Sequence, residues 1–163
     1  MVATVQIVEK NGAGGTATDK TSGTIRFKNA DNATVDNNNP MVIPGAGSDF
    51  SFEKWLRLNV TIAPSVQISN AKFYTDGANG LGTGVLLWAK AVAAYATPAE
   101  PANSTGFTNG FTFTSGAPLS LGAGPFTGTG EKGDHAVCMM EVQSTATQGQ
   151  TPSETITFSY DEI

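Results

Sequence analysis

Residues 52–62, FEKWLRLNVTI, alternate between apolar and polar side chains with a period of two. The apolar positions on one face are Leu56, Leu58, Val60 and Ile62, and the opposite face carries Trp55, Arg57, Asn59 and Thr61. Successive side chains of a β-strand point to opposite sides of the sheet, so this pattern predicts a half-buried strand. The same period recurs along the chain. The interpretation of this stretch as a strand therefore extends to the other segments and decides the fold class.

Six further segments show this alternation and are predicted as strands. They are TVQIV (4–8), TIRFK (24–28), VQISNAKFYT (66–75), GFTFT (110–114), HAVCMMEVQ (135–143) and ETITFSY (154–160). The segment VLLWAKAVAAYA (85–96) is ambiguous, because its alanines favour a helix whereas its Val, Trp and Tyr and the flanking Gly and Pro fit one long strand, which we favour. Connectors rich in Gly, Asn and Pro separate the segments at intervals typical of a sandwich. We therefore predict an all-β protein, with a single antiparallel, jelly-roll-like β-sandwich domain of about eight strands over residues 1–163.

The charge distribution excludes several classes of partner. Only 14% of the 163 residues are charged and the net charge is −5, whereas typical soluble domains carry about 25% charged residues. The nine basic residues are scattered, so no cluster follows a phosphate backbone and no nucleic-acid partner is expected. The longest apolar run (84–96) is too short to span a bilayer, and the N-terminus shows no signal-peptide pattern. We expect synthesis in a cytoplasm and no membrane partner.

The stretch GDHAVCMMEVQ (133–143) holds the only histidine and the only cysteine of the chain. If it is a strand, the odd separation of His135 and Cys138 points their side chains to opposite faces, which rules out a Cys/His nucleophilic pair. We predict that Cys138 is a small core residue and that His135 lies at a strand edge near solvent. One Cys and one His also exclude an internal disulfide and the usual zinc frameworks.

The remaining motifs are weaker, and we predict no catalytic residue, no cofactor and no metal ligand. DGANGLGTG (76–84) fits neither the dinucleotide fingerprint nor the P-loop, so it is interpreted as a turn. Asp31 and Asp36 with Asn38 could bind Ca²⁺ through oxygen atoms, but they do not follow the EF-hand spacing. Trp55 is the notable aromatic residue, because it falls on the polar face of its strand, and an exposed Trp among polar neighbours marks a contact surface.

Three stretches together resemble the small head-associated structural proteins of tailed bacteriophages, the decoration or cement class. They are SFEKWLRLNVTIAPSVQISNAKFYTDG (51–77), GTGVLLWAKAVAAYATPAEP (82–101) and TPSETITFSYDEI (151–163). The resemblance implies a β-sandwich or jelly roll that attaches to the capsid exterior, commonly as a trimer, and stabilises the shell. Its partners would be the major capsid protein or other virion proteins, and its location the virion. The resemblance carries no residue roles over.

Three long connectors, residues 29–49, 96–110 and 121–134, are candidate interfaces, since loops longer than about 12 residues tend to be functional; ordinary mobile loops explain them equally well. The candidate partner-binding residues are Asp31, Asp36, Asn38, Trp55, Asn103, Phe107 and Phe126. The alternative function is a carbohydrate- or receptor-binding β-sandwich of a phage tail or fibre, which the Trp and Tyr residues and the Asn- and Asp-rich loops suggest. An enzyme that acts on glycans through two carboxylates is the least favoured class.

Overall fold

The structure, a computed structural model, describes residues 2–148 and 153–163. Its ten strands are β1 (Thr4–Asn11), β2 (Thr16–Asp19), β3 (Ser48–Phe50), β4 (Lys54–Ile62), β5 (Ile68–Tyr74), β6 (Val85–Val92), β7 (Thr108–Asn109), β8 (Leu119–Gly122), β9 (Gly130–Gln143) and β10 (Thr157–Glu162). Within the described residues, one 3-10 turn spans Gly110–Thr112. The predicted all-β antiparallel sandwich is confirmed, with ten strands rather than eight.

Two antiparallel sheets of unequal size pack against each other. The large sheet has the order β2-β1-β4-β9-β6-β7, and β3 extends it by pairing with β9 beyond the start of β4. The small sheet has only three strands, in the order β10-β5-β8. The core between the sheets is formed by the apolar faces of β4, β6 and β9 together with Phe73 and Leu121 of the small sheet. The three strands of the small sheet therefore cover only part of the inner face of the large sheet.

Most predicted strands are confirmed, and two are wrong. Residues 24–28 form no strand: Ile25 and Phe27 pack against the core from an irregular segment. Residues 110–114 do not form the predicted strand either. The Asn109 side chain accepts a hydrogen bond from the Phe111 N–H and caps the 3-10 turn. Gly110 of this turn is pressed against Leu87, where a Cβ would lie 2.9 Å from Cγ. Local capping and close packing therefore override the alternation.

Four strands and part of a fifth were not predicted. All four residues of β2, TATD, are exposed, and β3, β7 and β8 have two to four residues each. The first residues of β9, GEKGD (130–134), were predicted as a loop, but β9 pairs there with β4 through Lys132 opposite Leu58. These segments contain little apolar alternation, so pairing with a neighbour decides their conformation.

Candidate functional site

The outer face of the large sheet is covered by the loop of residues 93–107, and Trp55 lies beneath this loop. Its side chain is 3% exposed, and its indole Nε1 donates a hydrogen bond to Glu53 Oε2 at 3.0 Å. The indole ring makes an edge contact with Tyr95 at a centroid distance of 5.3 Å. The prediction of an exposed Trp55 is wrong, because both faces of its strand are covered. This Trp cannot stack on a sugar from solvent, so Trp55 gives no support to the carbohydrate-binding alternative.

His135 is fully buried beside Trp55, so its predicted position near solvent is also wrong. Its Nδ1 lies 3.1 Å from the carbonyl oxygen of Val92, and its Nε2 is buried without a hydrogen-bond partner among the described residues. Burial lowers the pKa of His135, and the nearby Arg57 and Lys10 lower it further, against the opposing effect of the Val92 carbonyl. The imidazole is therefore held in its neutral form.

Cys138 points to the opposite side of β9, into the core between the sheets, as predicted. Burial raises the pKa of its thiol to about 12. The predicted separation of the His135 and Cys138 side chains onto opposite faces is confirmed: Ala136 and Cys138 pack in the core, whereas His135 contacts the rings of Trp55 and Tyr95. The two residues cannot form a nucleophilic pair.

Ion pairs organise the rest of the outer face. Glu131 lies 2.9 Å from Lys10 Nζ and 3.0 Å from Arg57 Nη1. Burial of Glu131 would raise the pKa of its carboxyl, but the hydrogen bonds and charges of Lys10 and Arg57 outweigh this effect and lower it. Lys90 lies 3.1 Å from Glu53 and 3.8 Å above the centroid of the Phe107 ring. These contacts bind the four central strands, β1, β4, β9 and β6, and the covering loop together.

The candidate residues of the covering loop are only partly accessible. Phe107 is half-buried beneath Lys90. Asn103 is exposed, and its Oδ1 accepts a hydrogen bond from the Thr105 N–H at 2.9 Å within a local turn. Of the two, Asn103 is the residue open to a partner.

The predicted acidic cluster of residues 31–38 makes structural hydrogen bonds. Asp31 accepts hydrogen bonds from Asn11 Nδ2 and from the Gly12 N–H, both at 2.8 Å, and so fastens its loop to the β1–β2 hairpin. The Asp36 carboxylate accepts hydrogen bonds from the Asn39 side chain and from the Asn38 N–H, and these bonds lower the pKa of Asp36. The side chain of Asn38 is exposed. Within the described parts of the chain, no three His, Cys, Asp or Glu residues are close enough together to hold a metal ion.

Phe126 lies at a different end of the molecule from the other candidates. It is half-buried against both core clusters, and its backbone exchanges hydrogen bonds of 2.8 and 3.0 Å with Ile68. Asp31 and Trp55 are linked through Gly12 and Tyr95, whereas Phe126 lies apart from them, so the seven predicted residues do not form one site.

A buried polar cluster beneath residues 20–47 was not predicted. Lys54 Nζ lies 2.9 Å from Glu9 Oε1 and donates to the carbonyl oxygen of Asn32 at 2.9 Å. Lys20 lies 3.8 Å from the other oxygen of Glu9, and the buried Lys28 donates to Asn32 Oδ1 and to a neighbouring carbonyl. The sequence carried a signal for this cluster, because Glu9 and Lys54 continue the apolar alternation of their strands.

Where the small sheet ends, the described residues leave the space between the layers open. A cavity of about 1450 Å³, here called the open cleft, lies between the inner face of the large sheet, residues 20–43 and β10. Its apolar lining comprises Val5, Ile7, Leu58, Leu87 and Met140 on the floor, Ile25, Phe27, Val35 and Val42 on one wall, and Ile156, Phe158 and Tyr160 on the other. Val5, Ile7 and Met140 are only partly buried although they belong to the apolar face. No spacing in the sequence indicated this cleft.

A second apolar surface, here called the end patch, comprises Val2, Ile62, Val66 and Ile163. These side chains are 45 to 76% exposed. Val2 and Ile163 line one shallow depression, the Val66 N–H donates to the Ile163 carbonyl, and Ile62 pairs with Thr4 near Val2. The patch therefore gathers four large apolar groups at one end of the sandwich.

Comparison with models of known protein families, with curated proteins and with solved structures gives no significant match. Within residues 2–148 and 153–163, no helix is long and apolar enough to cross a membrane.

Proposed function

We propose that this chain is a non-enzymatic structural protein that binds to the outside of a tailed-phage capsid as a trimer and stabilises the shell. The observation that carries the proposal is the end patch. Four large apolar side chains exposed together on one surface are the usual mark of a protein interface. In a symmetric oligomer each subunit would bury its own copy of this patch, which removes the apolar groups from water.

The disposition of the reactive groups supports a structural role. The ion pairs of Lys10, Lys54, Arg57 and Lys90 join strands or hold loops against them, and His135 and Cys138 are buried on opposite sides of β9. Because these charged and reactive side chains are engaged in structural contacts or buried, we expect the protein to act through contacts of its surface.

Exposed loops would supply the contacts with the shell. Asn38 and Asn103 are exposed polar residues on two separate loops, and Phe107 adds a partly exposed aromatic ring. Polar contacts of this kind are weak individually, but a trimer that engages three equivalent sites gains avidity without any new contact. The major capsid protein is the proposed partner, and the capsid exterior the proposed location.

The test is the native mass, measured by light scattering coupled to size exclusion, followed by binding to capsids assembled without this protein. We expect a trimer for the wild type, a monomer for Val66→Lys, and a trimer for the matched control Ala17→Lys, which places the same charge on an exposed residue of β2 outside both the end patch and the open cleft. The monomeric variant should bind capsids at least tenfold more weakly because it loses avidity. A wild type that stays monomeric at high concentration and does not bind capsids would refute the proposal.

A further inference from the structure

The edge of β10 that borders the open cleft is unpaired among the described residues, and only its last two residues are charged. β10 pairs only with β5, and among the described residues no backbone hydrogen bond joins its other edge to a neighbour. Proteins usually protect such edges with charged residues, Pro or a covering segment. The first four residues of β10, TFSY, contain neither a charge nor a Pro, and its two acidic residues, Asp161 and Glu162, lie at its C-terminal end. An unpaired edge without charges along most of its length, next to the open cleft, is available for pairing with another molecule.

The chemistry of the cleft selects the kind of occupant. The floor is apolar and both walls carry apolar side chains among polar ones, whereas the edge of β10 presents backbone N–H and C=O groups that need hydrogen-bond partners. An extended peptide satisfies both, because its backbone continues the sheet while its alternate side chains enter the cleft. A small apolar molecule would leave the edge groups unpaired, and a helix has no backbone groups to offer.

The charges around the cleft favour an acidic residue in the occupant. Arg26 lies on the wall, is exposed, and forms no hydrogen bond or ion pair within the described residues. The cleft is lined by three cations, Lys20, Arg26 and Lys28, and by two acids, Asp36 and Glu154, although the whole chain carries a net charge of −5. A carboxylate on the occupant would give Arg26 a partner.

The strand pairing and the charges near β10 disfavour a second copy of this chain as the occupant of the open cleft. The alternating apolar strands β1, β4, β5, β6 and β9 are already paired on both edges or packed in the core. If β10 paired with β10 of another copy, antiparallel registration would bring Asp161 and Glu162 of one copy close to Glu154 of the other. Like charges at such positions are unfavourable.

We propose that the open cleft binds an extended strand from a different protein, with apolar residues at alternate positions and a carboxylate facing Arg26. The six residues of β10 span roughly 20 Å, so the bound strand would be of similar length. The inference rests on the proposed function, in that the strand would belong to the capsid protein.

The experiment measures hydrogen–deuterium exchange of residues 156–162 in the full chain, alone and bound to capsids that lack it, together with capsid affinity. We expect binding to slow exchange there. Arg26→Glu should weaken binding about tenfold, and the matched control Lys132→Glu, a charge reversal on β9 outside the cleft lining, should leave it unchanged. Thermal unfolding would establish that both variants fold.

The outcomes separate the two proposals. Capsid binding with unchanged exchange in 156–162 would overturn the cleft inference and leave the proposed function standing. If the protein does not bind capsids, the proposed function is refuted. The exchange experiment is then repeated with a ten-residue peptide of alternating Val and Thr with one central Asp in place of the capsid. Protection of 156–162 by this peptide, lost in Arg26→Glu, would support a strand-binding cleft that serves another protein; no protection would overturn it. Slower exchange of residues 156–160 at rising concentration of Val66→Lys, the variant that should not form the trimer, would identify a second copy as the occupant and overturn the proposal.

Discussion

Glu9 and Lys54 form a fully buried ion pair, with 2.9 Å between Oε1 and Nζ, on the apolar face of the large sheet. The register of β1 and β4 places Glu9 opposite Leu56, and that of β4 and β9 places Lys54 opposite Cys138, so both charges belong to the face that packs the core. Lys54 also donates to the Asn32 carbonyl, which links the ion pair to the loop above it. The pair thus holds residues 20–47 over the part of the sheet that the small sheet leaves uncovered.

Removal of one partner should destabilise the protein more than removal of both. Lys54→Met leaves the Glu9 carboxylate buried without its main partner, at an expected cost of about 3–5 kcal/mol. The double variant Glu9→Leu, Lys54→Met removes both charges and should recover much of this loss. Urea unfolding of the wild type, both single variants and the double variant measures the coupling. Additive effects would show that the two side chains do not act as a pair.

Stability should fall as the pH is lowered through the range just below 6.5. Because burial lowers the pKa of His135, the unfolded chain binds a proton near its ordinary pKa of about 6.5 while the folded chain does not. Lowering the pH therefore favours the unfolded state. One such group changes the free energy of unfolding by at most about 1.4 kcal/mol per pH unit. The carboxyls of Glu131 and Asp36, whose pKa values are lowered, remove stability only at more acidic pH.

The variant His135→Gln isolates this contribution, because a neutral amide does not titrate. Urea unfolding between pH 7 and pH 5 should give a flatter dependence for the variant than for the wild type. Equal slopes would assign the pH dependence to other groups.

The thiol of Cys138 should be unreactive in the folded protein. It is fully buried and its pKa is raised to about 12, so neither the thiolate nor access for a reagent is available near neutral pH. Labelling with a chromogenic disulfide at pH 8 should proceed only when urea unfolds the chain. Cys138→Ala should lower stability modestly and leave capsid binding unchanged, and a loss of binding in a folded variant would reveal a functional role for the thiol.

Gly133 should not tolerate a side chain. It has a φ of +69°, and a Cβ there would lie 2.5 Å from the Leu121 carbonyl oxygen. The left-handed backbone conformation alone costs a non-Gly residue about 1–3 kcal/mol, and the clash with backbone adds to this. The matched control is Gly14→Ala, where a Cβ meets nothing within 4 Å. Thermal unfolding should show a large loss for Gly133→Ala and little change for Gly14→Ala; similar midpoints would contradict the packing of β8 against β9.

The sequence by itself determined the fold class and the direction of several side chains. The two-residue alternation in β4 and β9 predicted strands, the burial of Leu56 and Leu58, and the separation of His135 from Cys138, because a strand imposes this period on its own side chains. Only the tertiary structure decided that Trp55 and His135 are buried, since that depends on a loop some 40 residues away in sequence from either residue. The short strands, the buried Glu9–Lys54 pair, the open cleft and the end patch likewise arise from pairing and packing between distant segments, which local periodicity does not record.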